Sequence, residues 1–161
     1  MKRFLLPVVS VFMIISCASP RVVFDKNTDF SHYKTFAYYK KDMLKAELGK
    51  DYKTVIAFET DHIIRSKGLK PSPNPDLVIR IIPSFHKRID IYVENEPWIR
   101  RARKHKSWEG TLTILLNDAQ TGKTIWKTSF YLRFDDKPEL NRLLDKKLKK
   151  AFEQYPPGSK H

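Results

Sequence analysis

A two-layer α+β domain, with a mostly antiparallel sheet and two helices covering one face, is predicted by three observations. Residues 108–134 alternate apolar and polar side chains around a turn-rich centre, the pattern of a long hairpin. Residues 136–152 repeat apolar side chains at three and four, as does an earlier stretch, 51–67. The element order of strands, helix, strands and helix then favours helices packed on one side of an antiparallel sheet.

Val22–Asp25 reads as the first strand, Asn27-Thr28-Asp29 as a turn, and Lys34–Tyr39 as an aromatic second strand. Lys40–Lys50 is polar and charged and is expected to form a loop. In the helix from Asp51 to Lys67, the residues Tyr52, Val55, Ile56, Ile63 and Ile64 fall near one face, with Gly68 as the C-terminal cap. Pro71, Pro73 and Pro75 make a non-helical bridge to Leu77–Ile82, the most strand-like run and the expected central strand. Pro83 lacks an N–H, so a bulge or strand end is expected there, with Ile89–Val93 as a possible continuation.

Trp108–Asn117 and Lys123–Phe134 form the hairpin, closed by Asp118-Ala119-Gln120-Thr121-Gly122. Leu112, Ile114 and Leu116 share a face on the first arm, and Trp126, Phe130, Leu132 and Phe134 on the second. The last helix begins with Asp136 as N-cap and ends near Phe152, burying Leu140, Leu143, Leu144, Leu148, Ala151 and Phe152. Its late lysines face water and complement the helix dipole. Residues 22–157 are expected to be one domain, with 158–161 a frayed tail. At 161 residues and 41% hydrophobic composition, one globular core fits and a disordered chain does not.

The first residues carry an address. Met1-Lys2-Arg3 precedes an apolar run, Phe4–Ile15, too short to cross about 30 Å of hydrocarbon as a helix. The run closes on Ile14-Ile15-Ser16-Cys17, which resembles the lipobox of bacterial lipoproteins. Residues 1–16 then read as a signal peptide and Cys17 as the lipidated first residue, with 17–21 a short tether. Cys17 is the sole cysteine, so no internal disulfide or multi-thiolate metal site can form. Two or more acyl chains suffice for stable anchoring, at about 0.8 kcal/mol per buried methylene. Ala18 after Cys17 lacks the aspartate associated with inner-membrane retention in enteric bacteria. An outer-membrane anchor with the domain in the periplasm is therefore expected, and surface exposure stays open.

Asp29–Tyr38, Lys67-Gly68, Asn74-Pro75-Asp76-Leu77-Val78, Gly110-Thr111-Leu112, Asp118–Lys123 with Trp126, and Pro156-Pro157 together resemble the bacterial lipoprotein family catalogued as domain of unknown function 4136. Leu115 stands where that family often has an acidic residue, and Thr128 where it often has glycine. The resemblance implies a compact exported lipoprotein domain whose biochemical activity is unassigned.

No motif for catalysis emerges. His32, His62, His86 and His105 are scattered, with neither a His-x-x-x-His nor a Cys-x-x-Cys pattern, so no metal or other cofactor is expected. Asp25 with Asp29, and Asp135 with Asp136, occupy positions where a turn or cap favours aspartate. Ser107 and Ser129 form no recognisable triad, and no nucleophile elbow or phosphate-cradling glycine loop is present.

The formal charge is +13, with thirty-one Lys and Arg against eighteen Asp and Glu. The cations concentrate in Trp98-Ile99-Arg100-Arg101-Ala102-Arg103-Lys104-His105-Lys106-Ser107-Trp108, expected to be a loop between strands. Trp98, Arg100, Arg101, Arg103, Lys104, Lys106 and Trp108 are the candidate residues for an anionic or membrane surface, since indoles favour the headgroup level and each cation gains about 1 kcal/mol there. The partners expected are the membrane through the lipid anchor, and an anionic lipid, glycolipid or envelope protein. Nucleic acid is not expected outside the cytoplasm, and the oligomeric state is open. The function that follows is an envelope lipoprotein acting as a non-enzymatic binding or assembly module. The alternative is an envelope enzyme whose pocket the motifs do not reveal.

Overall fold

The computed structural model describes residues 19–96 and 99–156, with side chains described for all of these outside 93–102. Residues 1–16, expected to be a signal peptide, together with Cys17, Trp98 and residues 158–161, lie outside the described residues. The elements run β1 (Arg21–Phe24), a 3-10 turn (Phe30–His32), β2 (Thr35–Tyr38), α1 (Lys41–Lys45), α2 (Lys50–Ser66), β3 (Lys70–Pro71), β4 (Leu77–Glu96), β5 (Ile99–Asp118), β6 (Thr124–Phe134) and α3 (Lys137–Phe152). One sheet holds the strands in the order β1-β6-β5-β4-β2-β3. Its long strands pair antiparallel, whereas β2 runs parallel to both β3 and β4. This is an α+β fold with a mostly antiparallel sheet.

Alternation decides which face is covered. Leu77, Ile79, Ile81 and Phe85 of β4, Leu112, Ile114 and Leu116 of β5, and Trp126, Phe130, Leu132 and Phe134 of β6 are all buried. The helices pack on that face through Ile56, Thr60 and Ile64 of α2 and through Leu140, Leu144, Leu148, Ala151 and Phe152 of α3. Trp126 and Phe152 meet with ring centroids 4.7 Å apart. Asp136 caps α3 by accepting from the Glu139 amide at 2.9 Å, and Glu139 reaches back to the Asp135 amide. The first bond satisfies an amide that the first helical turn leaves open, and the second fixes the residue preceding the cap.

Three expectations are corrected. Lys41–Lys45 is a short helix rather than loop: Asp42 takes two hydrogen bonds from Arg80 of β4, at 2.7 and 3.1 Å, and these tie the segment to the sheet. Pro83 neither ends nor bulges β4 but pairs in register with Leu112. Tyr39 donates to the Ile79 carbonyl on the β2 side, so Pro83, four residues on, also turns toward that side. There β2 has already ended at Tyr38, and the missing N–H interrupts no ladder. The register shift lies instead at Leu116/Asn117, between β5 and β6.

The third correction bears on function. The basic segment 98–108 is not a loop between strands. Residues 99–108 are the first half of β5 and pair continuously with β4, from Glu96 opposite Ile99 to Lys87 opposite Trp108. The possible continuation of β4 through Ile89–Val93 is present as part of one strand of 20 residues.

Candidate functional site

The site is an arm made by β4 and β5 alone. β6 ends at Phe134, opposite Trp108, and β2 leaves β4 at Ile79. Among the described residues, Arg88–Glu96 and Ile99–Ser107 beyond those points have only each other as sheet partners. At ~3.4 Å per residue this ribbon is about 30 Å long.

The two faces of the arm differ in chemistry. The face continuing from the core carries Lys87, Ile89 and Ile91 on β4, with Lys104 and Lys106 on β5. Ile89 and Ile91 are 53% and 60% exposed, because the helices stop short of them. Among the described side chains this face holds no carboxylate. The opposite face mixes both signs. Arg88 donates to Asp90 at 2.8 Å and lies 3.4 Å from Glu109; Arg133 of β6 reaches Asp90 at 3.0 Å. Tyr131 donates to Glu109 at 2.9 Å, His86 lies 3.1 Å from the same carboxylate, and His105 lies 2.9 Å from Asp135.

That network fixes its own charges. The Tyr131 hydroxyl, followed by His86 and Arg88, holds the Glu109 carboxyl below its ordinary range, and the Arg88 guanidinium does the same for Asp90. Asp90 in turn raises the pKa of Arg88. One side of the ribbon is thus internally neutralised, and the other presents apolar groups beside lysines.

Among the sequence candidates, Lys104 and Lys106 come together on the apolar-cationic face and Arg103 falls on the mixed face. Arg100 and Arg101 occupy β5 opposite Asn95 and Glu94. Trp108 is half-buried at the base of the arm, its ring 6.2 Å from Tyr52 of α2, so it packs with the core. Sequence reasoning missed Lys87, Ile89 and Ile91 as members of the site. The signal that could have found them is the alternation Lys87-Arg88-Ile89-Asp90-Ile91, matched to Lys104-His105-Lys106 across the ribbon.

A second polar cluster lies elsewhere, in a pocket of about 350 Å³ lined by Asp29, His32, Tyr33, Asp76, Asp118 and Gln120 among others. It joins three of the stretches that carry the family resemblance. Asp76 Oδ2 accepts from the amides of Lys34 and Thr35 and from the Thr35 hydroxyl at 2.8–2.9 Å. Asp118 accepts from Tyr33 at 2.8 Å and from the Gln120 and Thr121 amides. Burial, then the bond to Asp118, pushes the Tyr33 hydroxyl up to about 12. These carboxylates already serve as acceptors for the loops, which suits pinning more than proton transfer.

The remaining sequence candidates take local roles. Asp29 caps the 3-10 turn through the Ser31 amide, and Asp25 binds the Asn27 amide and Lys123. Ser129 pairs with Thr113 at 2.8 Å. Among the described residues no group of three His, Cys, Asp or Glu side chains could hold a metal ion, and no helix is long and apolar enough to cross a membrane.

Fold and site together define a small α+β domain from which a two-stranded, one-sidedly basic arm projects. The chain belongs to the family described as Domain of unknown function (DUF4136), which it matches over residues 20–157. No curated protein matches it. Among solved structures, a PDZ domain protein from Parabacteroides distasonis aligns with a TM-score of 0.58 at 18% identity, over 88% of this chain and 36% of that one. The chain therefore spans little more than a third of that protein's length. A PelC dodecamer from Paraburkholderia phytofirmans gives 0.47 at 10% identity, over 83% and 94% of the two chains. A minor lipoprotein from Acinetobacter baumannii gives 0.42 at 13% identity, over 76% and 91%. Of these three only the first exceeds a TM-score of 0.5, and at its level of identity it reports a shared fold alone.

Proposed function

We propose that the chain is a bacterial envelope lipoprotein, anchored through Cys17 in the outer membrane with its domain in the periplasm, and that it acts by binding rather than by catalysis. Its arm lies along an anionic phospholipid surface with Lys87, Ile89, Ile91, Lys104 and Lys106 facing the headgroups. The observation that carries this reading is the one-sided chemistry of the arm, apolar and cationic on one face and charge-neutralised on the other. Such a face gains from both burial and attraction to anionic lipid.

The direction of the tether supports it. Arg21 pairs with Ser129 and Phe24 with Trp126, so the chain upstream of β1 leaves toward the Phe134 end of β6. That is the end from which the arm projects. Four residues from Cys17 to Arg21 reach about 14 Å at most. A bilayer held at that level and an arm extending past it are both accommodated when the arm lies on the surface.

The test is co-sedimentation of a chain starting at Ala18 with phosphatidylglycerol and phosphatidylcholine vesicles at low salt. The described core, Phe30 to Tyr155, is retained whole in that chain. Lys104→Glu with Lys106→Glu is expected to weaken binding to the anionic vesicles by about thirty-fold or more, at about 1 kcal/mol per cation. The same reversal at Lys146 and Lys150 on α3 is expected to cost far less. Equal losses from both pairs would reduce the effect to net charge and remove the arm from the reading.

A further inference from the structure

At the other edge of the sheet, α1 and α2 border an apolar groove of about 390 Å³. Tyr38 and Ile81 line it from the sheet, Met43 and Leu44 from α1, and Ala57 from α2. Leu44 is 75% exposed and Tyr39 40%, so apolar surface is open to water there. On its β2 side this part of β4 has no described strand beside it, because β2 stops at Tyr38. The short helix α1 is held in place by the double Arg80–Asp42 bond and by Arg80 lying 5.3 Å from the Tyr39 ring centroid. The groove is therefore built by residues fixed on four separate elements, β2, β4, α1 and α2.

Its charged lining has a single sign. Lys40, Lys50 and Lys53 line it, and among the described residues no carboxylate does. Lys53 lies 3.4 Å from the Leu44 carbonyl, linking α2 to α1. An apolar groove bordered by ammonium groups suits a molecule with an apolar body and an anionic head. The geometry points to a binding site for a single-chain anionic amphiphile, an alkyl chain bearing a carboxylate or phosphate. The alkyl chain lies over Ile81 and between Met43, Leu44 and Ala57, and the anionic head meets Lys40 and Lys50.

The occupant is a separate molecule rather than the chain's own lipid. The N-terminal segment enters at β1, the sheet edge opposite to β2, with β6, β5 and β4 between. An anchor on Cys17 would in any case bring only ester- and amide-linked acyl chains, with no anionic group to meet Lys40 and Lys50. The site is also independent of the arm, so either can fail without the other.

The test is calorimetric titration of the chain starting at Ala18 with decyl phosphate below its micellar concentration, with decyl maltoside and decylammonium as neutral and cationic counterparts. Saturable 1:1 binding of decyl phosphate is expected, at least tenfold tighter than either counterpart. Ala57→Trp fills the groove from an exposed helical position and is expected to weaken binding at least tenfold with an unchanged circular dichroism spectrum. Lys40→Glu with Lys50→Glu is expected to remove the preference for the anion without blocking the groove. No saturable binding, or undiminished binding in Ala57→Trp, would overturn the site. Equal affinity for all three head groups would overturn the role of the lysines. Retention of decyl phosphate binding by a chain lacking the arm separates this site from vesicle adsorption; its loss there would assign the binding to the arm instead.

Discussion

Gly110 stands opposite Phe85 so closely that a Cβ on it would lie 2.0 Å from the Ser84 carbonyl oxygen and 2.7 Å from the Phe85 Cα. Both obstacles are backbone, so neither can swing aside. The contact sits just inside the point where the sheet narrows to the two-stranded arm. Gly110→Ala is expected to part the strands locally and lower stability by about 3 kcal/mol, the upper end for overpacking. Urea unfolding followed by circular dichroism checks it; a midpoint unchanged from wild type would mean that the strands can separate at little cost.

Asp76 and Asp118 give the fold an acid limit. Amide donation from Lys34, with the Thr35 hydroxyl, holds the Asp76 carboxyl below its ordinary value; Thr121 and then Tyr33 do so for Asp118. A carboxyl whose folded pKa lies below its unfolded value near 3.9 contributes stability that is complete above that value. The contribution is lost as pH falls through the folded pKa. Asp76→Asn is expected to lower stability at pH 7 and to flatten the loss below about pH 4. An acid unfolding curve parallel to wild type would show that Asp76 does not carry the effect.

The neighbouring aspartates Asp135 and Asp136 separate cleanly. Asp136 accepts from the Glu139 amide, whereas the Asp135 side chain meets His105 at the surface. Asp136→Ala is expected to cost about 1 kcal/mol and Asp135→Ala under about 0.5 kcal/mol. Thermal melts of the two variants at neutral pH distinguish them, and equal losses would contradict the capping geometry.

Removal of the arm tests function apart from stability. Joining Arg88 to Ser107 through Asn-Gly is expected to keep the melting temperature within a few degrees. The buried apolar cluster ends at Phe85 and Phe134 with Trp108 packed against it, and the ion pairs lost are surface pairs of about 0–1 kcal/mol each. Vesicle binding is expected to vanish. A folded, arm-less chain that still sediments with phosphatidylglycerol would move the membrane contact elsewhere.

Much of the scaffold was legible because its determinants are local. The β5–β6 hairpin follows from the Asp118–Gly122 turn and two alternating runs. Helix α3 follows from Asp136, Pro138, Glu139 and a leucine stripe, all read within single turns. The short helix α1 was not legible, because nothing in Lys41–Lys45 favours a helix as strongly as its ion pair to Arg80 from another element. The arm escaped for a related reason. Ile99–Ser107 has adjacent cations and few apolar residues, so it carries no strand signal until β4 supplies hydrogen bonds and register.

From the chain order of its residues alone came the class of fold, the face each long strand buries, the capped last helix and the concentration of cations after residue 98. Those properties depend on neighbours a few positions apart. Tertiary structure decided which cations share a face with Ile89 and Ile91, and that Asp76 and Asp118 pin the distant segment carrying Tyr33, Lys34 and Thr35. It also decided that α1 and α2 enclose a lysine-bordered groove. Each of these needs groups far apart in sequence to be brought within bonding distance, and only the pairing of strands and packing of helices does that.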